Sequence, residues 1–87
     1  MNQRYALARG TQVREEDFGL LFYQMNGPRL HFVASGGLLG EEFFRGDVTL
    51  AAWLDKLNVP PDRRPQEAAA VARALAQLIR KGVIVEC

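Results

Sequence analysis

The sequence predicts an α+β domain in which a three-stranded antiparallel sheet, over residues ~5–34, precedes a three-helix bundle, over residues ~37–81. Three observations carry this. An aromatic-rich run, Phe18 to Met25, meets the turn pair Asn26-Gly27. Leu50, Trp53, Leu54 and Leu57 recur at helical spacing. A long alanine-rich segment opens at Pro65 and stops at Gly82.

The strands come first. Tyr5, Leu7 and Val13 mark a first strand over Tyr5 to Val13, flanked by the charges of a solvated edge. Phe18 to Met25 is apolar on both faces: Phe18, Leu20 and Phe22 on one, Leu21, Tyr23 and Met25 on the other. Such a strand belongs in the middle of a sheet. Asn26-Gly27 tolerates positive φ, and Pro28 lacks a donor, so the chain turns there. Arg29 to Ala34 forms the third strand. Leu30, Phe32 and Ala34 share one side; Arg29, His31 and Val33 share the other, which is expected to face away from the core.

The helices follow Ser35-Gly36-Gly37. Leu38, Leu39, Phe43 and Phe44 fit a first short helix ending near Gly46. Asp47 is a candidate N-cap for the second, which carries the Leu50–Leu57 stripe. Pro60-Pro61 places a loop at Asn58 to Asp62. The third helix runs from Pro65 to about Lys81, with Arg80 and Lys81 favourable to the dipole of its last turn. Val83 to Glu86 is compatible with a final extended segment.

With 87 residues the chain is expected to form one domain, residues 1–87, with little room for a deep catalytic cleft. Eleven basic and ten acidic residues give a formal charge of +1, so no strong field favours nucleic acid or an anionic membrane. The longest apolar run, Phe18 to Tyr23, falls far short of the ~20 residues of a membrane span. No signal region follows Met1-Asn2-Gln3-Arg4, and a cytoplasmic protein is expected. The lone cysteine, Cys87, has no internal disulfide partner.

Catalytic chemistry finds little support. One histidine and one cysteine are too few for a metal site of nitrogen and sulfur ligands, and no metal or other cofactor is expected. Glu15-Glu16-Asp17 and Glu41-Glu42 look like solvated surface. No serine sits in a nucleophile-elbow context. Gly36-Gly37-Leu38-Leu39-Gly40 lacks the Lys-Ser/Thr pair of a phosphate loop. The chain is expected not to be an enzyme.

The sequence does offer an edge. Leu30-His31-Phe32-Val33 carries no Lys, Glu or Asp to defend it, so a visiting strand could add there. On the third helix Val71, Leu75, Leu78 and Ile79 form the expected core stripe, flanked by Ala69, Ala72 and Ala76, with Arg73 and Arg80 beyond. Small side chains permit close approach, and arginines can hold carboxylates. If that flank faces the third strand, the two bound a groove for an extended peptide. Alanine also serves simply as a strong helix former.

Val13-Arg14-Glu15-Glu16-Asp17-Phe18-Gly19-Leu20-Leu21-Phe22-Tyr23 and Gly27-Pro28-Arg29-Leu30-His31-Phe32-Val33 resemble the hallmark region of PqqD-like peptide chaperones, those of mycofactocin systems (the MftB type) in particular. Beyond residue 34 the similarity is one of helix pattern, ending at Leu78 to Ile84. The resemblance implies a recognition element for ribosomally made, post-translationally modified peptides (a RiPP recognition element). Its fold would be a three-stranded sheet on three helices, related to the winged helix-turn-helix. A precursor's leader would pair with the third strand and pack on the third helix. Carried over, the contacts are Arg29, Leu30, His31, Phe32 and Val33 with Ala69, Ala72, Arg73, Ala76 and Arg80. The precursor would then pass to a radical-SAM maturase, which carries the iron–sulfur chemistry.

Two other functions compete. A winged helix-turn-helix DNA-binding protein would use Arg63, Arg64, Arg73, Arg80 and Lys81, but the near-zero charge and a hairpin preceding the helices weigh against it. The other is a general interaction or oligomerisation domain. An open edge also admits a strand-exchanged dimer besides a monomer.

Overall fold

The computed structural model describes residues 3–25, 29–35 and 37–87. In chain order the elements are β1 (Arg4–Leu7), β2 (Thr11–Glu16), β3 (Gly19–Gln24), β4 (Arg29–Val33), a 3₁₀ turn (Glu41–Phe44), β5 (Arg45–Thr49), α1 (Leu50–Lys56), α2 (Arg64–Arg80) and β6 (Ile84–Glu86). The strands form two three-stranded antiparallel sheets, β2-β3-β4 and β5-β1-β6. The class is α+β, as expected. The three-helix bundle is not formed: the described residues hold two α-helices and a second sheet.

β3 lies mid-sheet, where its two apolar faces place it. Leu20 and Phe22 are buried in the core, and Phe18 is left at the tip of the turn into β3, 75% exposed. The expected Asn26-Gly27 hairpin and Pro28 lie outside the described residues, as does Gly36.

The expected first strand is two strands in different sheets. A turn over Ala8 to Thr11 divides them, closed by Thr11 N–H donating to Ala8 O at 3.0 Å, with Gly10 at φ +80°. A non-glycine residue would meet a steric penalty there. β1 then pairs with β5 and β6, and β2 with β3.

The expected first helix shrinks to a single 3₁₀ turn. Its successor, Arg45 to Thr49, is strand β5, and Asp47 lies within that strand instead of capping a helix. Gly46 at φ +84° leaves helical space, and the register with β1 slips between Arg4 and Ala6 beside it. The α1 cap is Thr49, whose Oγ1 accepts from Ala52 N–H at 3.1 Å. Local spacing of Phe43 and Phe44 suggested a helix face. What orders this segment is an aromatic cluster: Phe43 stacks against Tyr5, Phe44 and Trp53 at centroid distances of 5.6, 5.2 and 5.5 Å. Contacts of this kind contribute about 0.5–1.5 kcal/mol each beyond area burial. Burial first, and then the nearby Glu86 carboxylate, raise the Tyr5 phenol above its usual pKa.

The long helix matches expectation closely. Pro65 lies in its first turn, and Val71, Leu75 and Leu78 are buried. Ile79, expected in the stripe, is exposed. After Lys81 the chain leaves in a Schellman arrangement: Gly82 N–H donates to Ile79 O at 2.9 Å and Val83 N–H to Leu78 O at 3.1 Å. This directs Val83 and Ile84 back into the core, and Ile84–Glu86 pairs as β6, so that the expected final segment at 83–86 is extended over its last three residues. One buried cluster joins both sheets and both helices.

Candidate functional site

β4 is an edge strand. Among the described residues it pairs only with β3, in the register Val33↔Leu20, Phe32↔Leu21, His31↔Phe22, Leu30↔Tyr23 and Arg29↔Gln24. Its outer backbone groups are therefore available to a further strand, each added hydrogen bond worth roughly 0.5–1.5 kcal/mol net. Nothing on β4 itself opposes such pairing, since the strand carries neither carboxylate nor lysine.

The register also settles which way the strand faces. His31 shares the face of Phe22, so it points toward the core side, opposite to expectation. Leu30 and Phe32 occupy the outer face beside Tyr23 and Leu21, at 69% and 53% exposure. β3 is apolar on both faces, so its pattern alone does not set which side of β4 is buried. Tertiary packing resolved it: Leu20 and Phe22 went inward, and β4 followed in register.

Between β4 and α2 runs a cleft with two adjoining compartments. One, of about 80 Å³, is mostly apolar: Val33, Leu38, Leu39, Ala70 and Ala74 line it together with Ser35. The other, of about 260 Å³, is lined by His31, Phe32, Val33, Ala74, Gln77 and Lys81. Ala74 borders both, and its single methyl leaves the cleft open. The apolar end is held in place from below. Trp53 Nε1–H donates to Leu38 O at 2.8 Å, and Leu38 N–H to Ser35 O at 2.9 Å. At the other end Gln24 Nε2–H donates to Gly82 O at 3.3 Å, tying β3 to the close of α2.

Of the expected contact residues, Arg29, Leu30, His31, Phe32 and Val33 form the edge, and His31, Phe32 and Val33 also line the cleft. Ala69, Ala72, Arg73, Ala76 and Arg80 do not. All five are exposed, and the cleft is lined from α2 by Ala70, Ala74, Gln77 and Lys81 instead. At about 100° per residue Ala72 and Ala74 lie roughly 160° apart around the helix. A helical stripe has two flanks, and the alanines on both looked alike in sequence. The packing of α2 against the sheet chose between them.

Two buried side-chain atoms at the cleft lack a hydrogen-bond partner among the described residues: His31 Nε2 and Ser35 Oγ. An unsatisfied buried polar atom costs about 1–3 kcal/mol, a deficit that a ligand group can remove.

A larger hollow, about 320 Å³, lies near the β2–β3 turn, between Glu15, Glu16, Asp17, Leu39 and Trp53. Of its carboxylates, Glu15 is tied to the 3₁₀ turn and Glu16 pairs with Arg14 at 2.6 Å. Glu41 N–H donates to Glu15 Oε1 at 3.4 Å, and Glu15 N–H to Glu41 Oε1 at 3.3 Å. No group of ligands suited to a metal ion occurs among the described residues.

The basic surface expected of a DNA binder is partly spent internally. Arg63 pairs with Glu67 at 3.1 Å, and Arg64 with Asp55. The connection between α1 and α2 spans residues 57–63, longer than the ~3–4-residue turn of a helix-turn-helix. No helix of the described residues is long and apolar enough to cross a membrane.

Comparison with protein-family models, with curated proteins and with solved structures finds no match to this chain.

Proposed function

We propose that this protein is a peptide chaperone that binds the leader of a ribosomally made precursor as a fourth strand on β4 and presents it to a radical-SAM maturase. The observation that carries the proposal is the free edge of β4 beside the cleft against α2. An extended peptide laid there would donate and accept main-chain hydrogen bonds along β4 and drop alternate side chains into the cleft. The resemblance of residues 13–34 to PqqD-like chaperones supports the same role. In this scheme the protein supplies binding and orientation, and the maturase supplies the chemistry.

The test is titration calorimetry with synthetic leader peptides of ribosomally made precursors, followed by amide exchange of the complex. Saturable binding with slowed exchange along β4 is expected. Ala74→Trp, which fills the cleft, should weaken it by tenfold or more, roughly the worth of one or two hydrogen bonds. Ala72→Trp, on the opposite flank, should leave affinity unchanged. Equal affinity in the wild type and Ala74→Trp, with both folded by circular dichroism, would reject the site. Duplex DNA serves as the competing ligand. Tight binding to it that falls ~10³–10⁵-fold between 50 and 200 mM salt would point instead to a nucleic-acid binder.

A further inference from the structure

The cleft has a chemical polarity that the proposed strand addition does not by itself require. Its smaller compartment is aliphatic apart from Ser35, formed by Val33, Leu38, Ala70 and Ala74. Its larger compartment gathers His31, Gln77 and Lys81, and among the described residues no carboxylate lines either one. Lys81 is exposed and makes no ion pair among the described residues. Arg29, also without an ion pair, lies two residues before His31 on the same face of β4. His31 lines this compartment, and its buried Nε2 has no hydrogen-bond partner among the described residues.

We infer that the cleft selects peptides bearing an acidic side chain two positions from an aliphatic one, the carboxylate held between His31 and Lys81 and the aliphatic group beside Val33 and Ala74. This rests on the peptide-binding reading and deepens it.

Strand geometry sets the spacing. Residues on an added strand point to the same face as the β4 residues opposite them. His31 and Val33 are two residues apart, about 6.5–7 Å along the strand. A peptide residue opposite His31 therefore enters the polar compartment, and the one opposite Val33 enters the aliphatic one. A carboxylate at the first position lies beside the His31 ring and accepts from the Lys81 ammonium and from the Gln77 amide. Charge-assisted bonds of this kind are worth about twice neutral ones. A lysine or arginine there would meet Lys81 and Arg29 and gain no acceptor charge. The residue between the two inward positions points outward, beside Phe32, and is left free by this rule except for apolar contact.

The experiment is selection of a random library of 12-residue displayed peptides on the immobilised protein, repeated on Lys81→Glu, Lys81→Gln and Ala74→Trp. Peptides recovered by the wild type should carry Asp or Glu two positions from Val, Ile or Leu. Synthetic hits with that acid changed to Lys should bind roughly tenfold or more weakly. Lys81→Glu should shift the enriched residue from acidic to basic, and Lys81→Gln should blunt the preference. If peptides are recovered in an Ala74-dependent way with no acidic enrichment, the inference fails while strand addition stands. If no recovered peptide depends on Ala74, both fail.

Discussion

Gly19 shows how much of the edge rests on a single residue. A Cβ built on it would lie 1.8 Å from the carbonyl oxygen of Val33 and 2.9 Å from Cα of Ala34. The obstacle is backbone, so no side-chain rotation relieves it. Gly19 thus lets the end of β4 approach β3 closely and holds Val33 over the aliphatic compartment. Gly19→Ala must push the strands apart. We expect a loss of roughly 2–3 kcal/mol, which lowers the melting midpoint by roughly 10–20 °C in a domain of this size. A thermal melt by circular dichroism checks this, and an unchanged midpoint would contradict the close approach. The sequence placed Gly19 inside an apolar strand, where glycine is unfavourable, and that cost was itself a signal. It could not name Val33 as the cause.

At the scale of the element, α2 is the part most legible in sequence, yet the flank it turns to the cleft is not the expected one. Its start, its buried stripe and its stop follow from Pro65, from the spacing of Val71, Leu75 and Leu78, and from Gly82. Gly82 sits at φ +77° with nothing within 4 Å of an added Cβ. A substitution there is therefore strained by conformation alone. We expect Gly82→Ala to cost about 1–2 kcal/mol, measured as a lower urea midpoint at constant m. A cost near zero would mean that the left-handed turn does not limit the helix end. The flank of α2 is another matter. Ala70 and Ala74 face the cleft, whereas Ala69, Ala72 and Ala76 do not. Helical periodicity gives the angle between residues but not which side of the stripe meets the next element.

For the whole molecule, the two sheets share one core. Tyr5 from β1, Phe22 from β3, Phe43 of the 3₁₀ turn, Leu54 of α1 and Leu75 of α2 belong to a single buried cluster. Neither sheet keeps a closed apolar interior if the other opens. Unfolding should therefore be one cooperative transition. The fluorescence of Trp53, the only tryptophan, should follow the same urea curve as the far-ultraviolet dichroism. Separated midpoints would show that the sheets are stabilised independently. The same architecture explains why the exposed edge can coexist with a stable fold: β4 lies at the margin of the core, and only His31 and Val33 on its inner face are drawn partly into it.

The sequence by itself determined what local chemistry can specify. It marked the α+β class, the central place of the Phe18–Met25 strand, the undefended strand over Arg29–Ala34, the Leu50–Leu57 stripe and a long helix from Pro65 to about Lys81. Tertiary structure decided the rest, because those choices depend on partners distant in the chain. Arg45–Thr49, with Gly46 and two charges, carries no strand signal of its own and is a strand because β1 pairs with it. Tyr5 to Val13 is divided because its halves find different sheets. His31 turns toward α2 because Leu20 and Phe22, not Leu21 and Tyr23, fill the core. Periodicity fixes the relation between neighbours along one element; which face is buried, and against what, is fixed only when the elements close around a common interior.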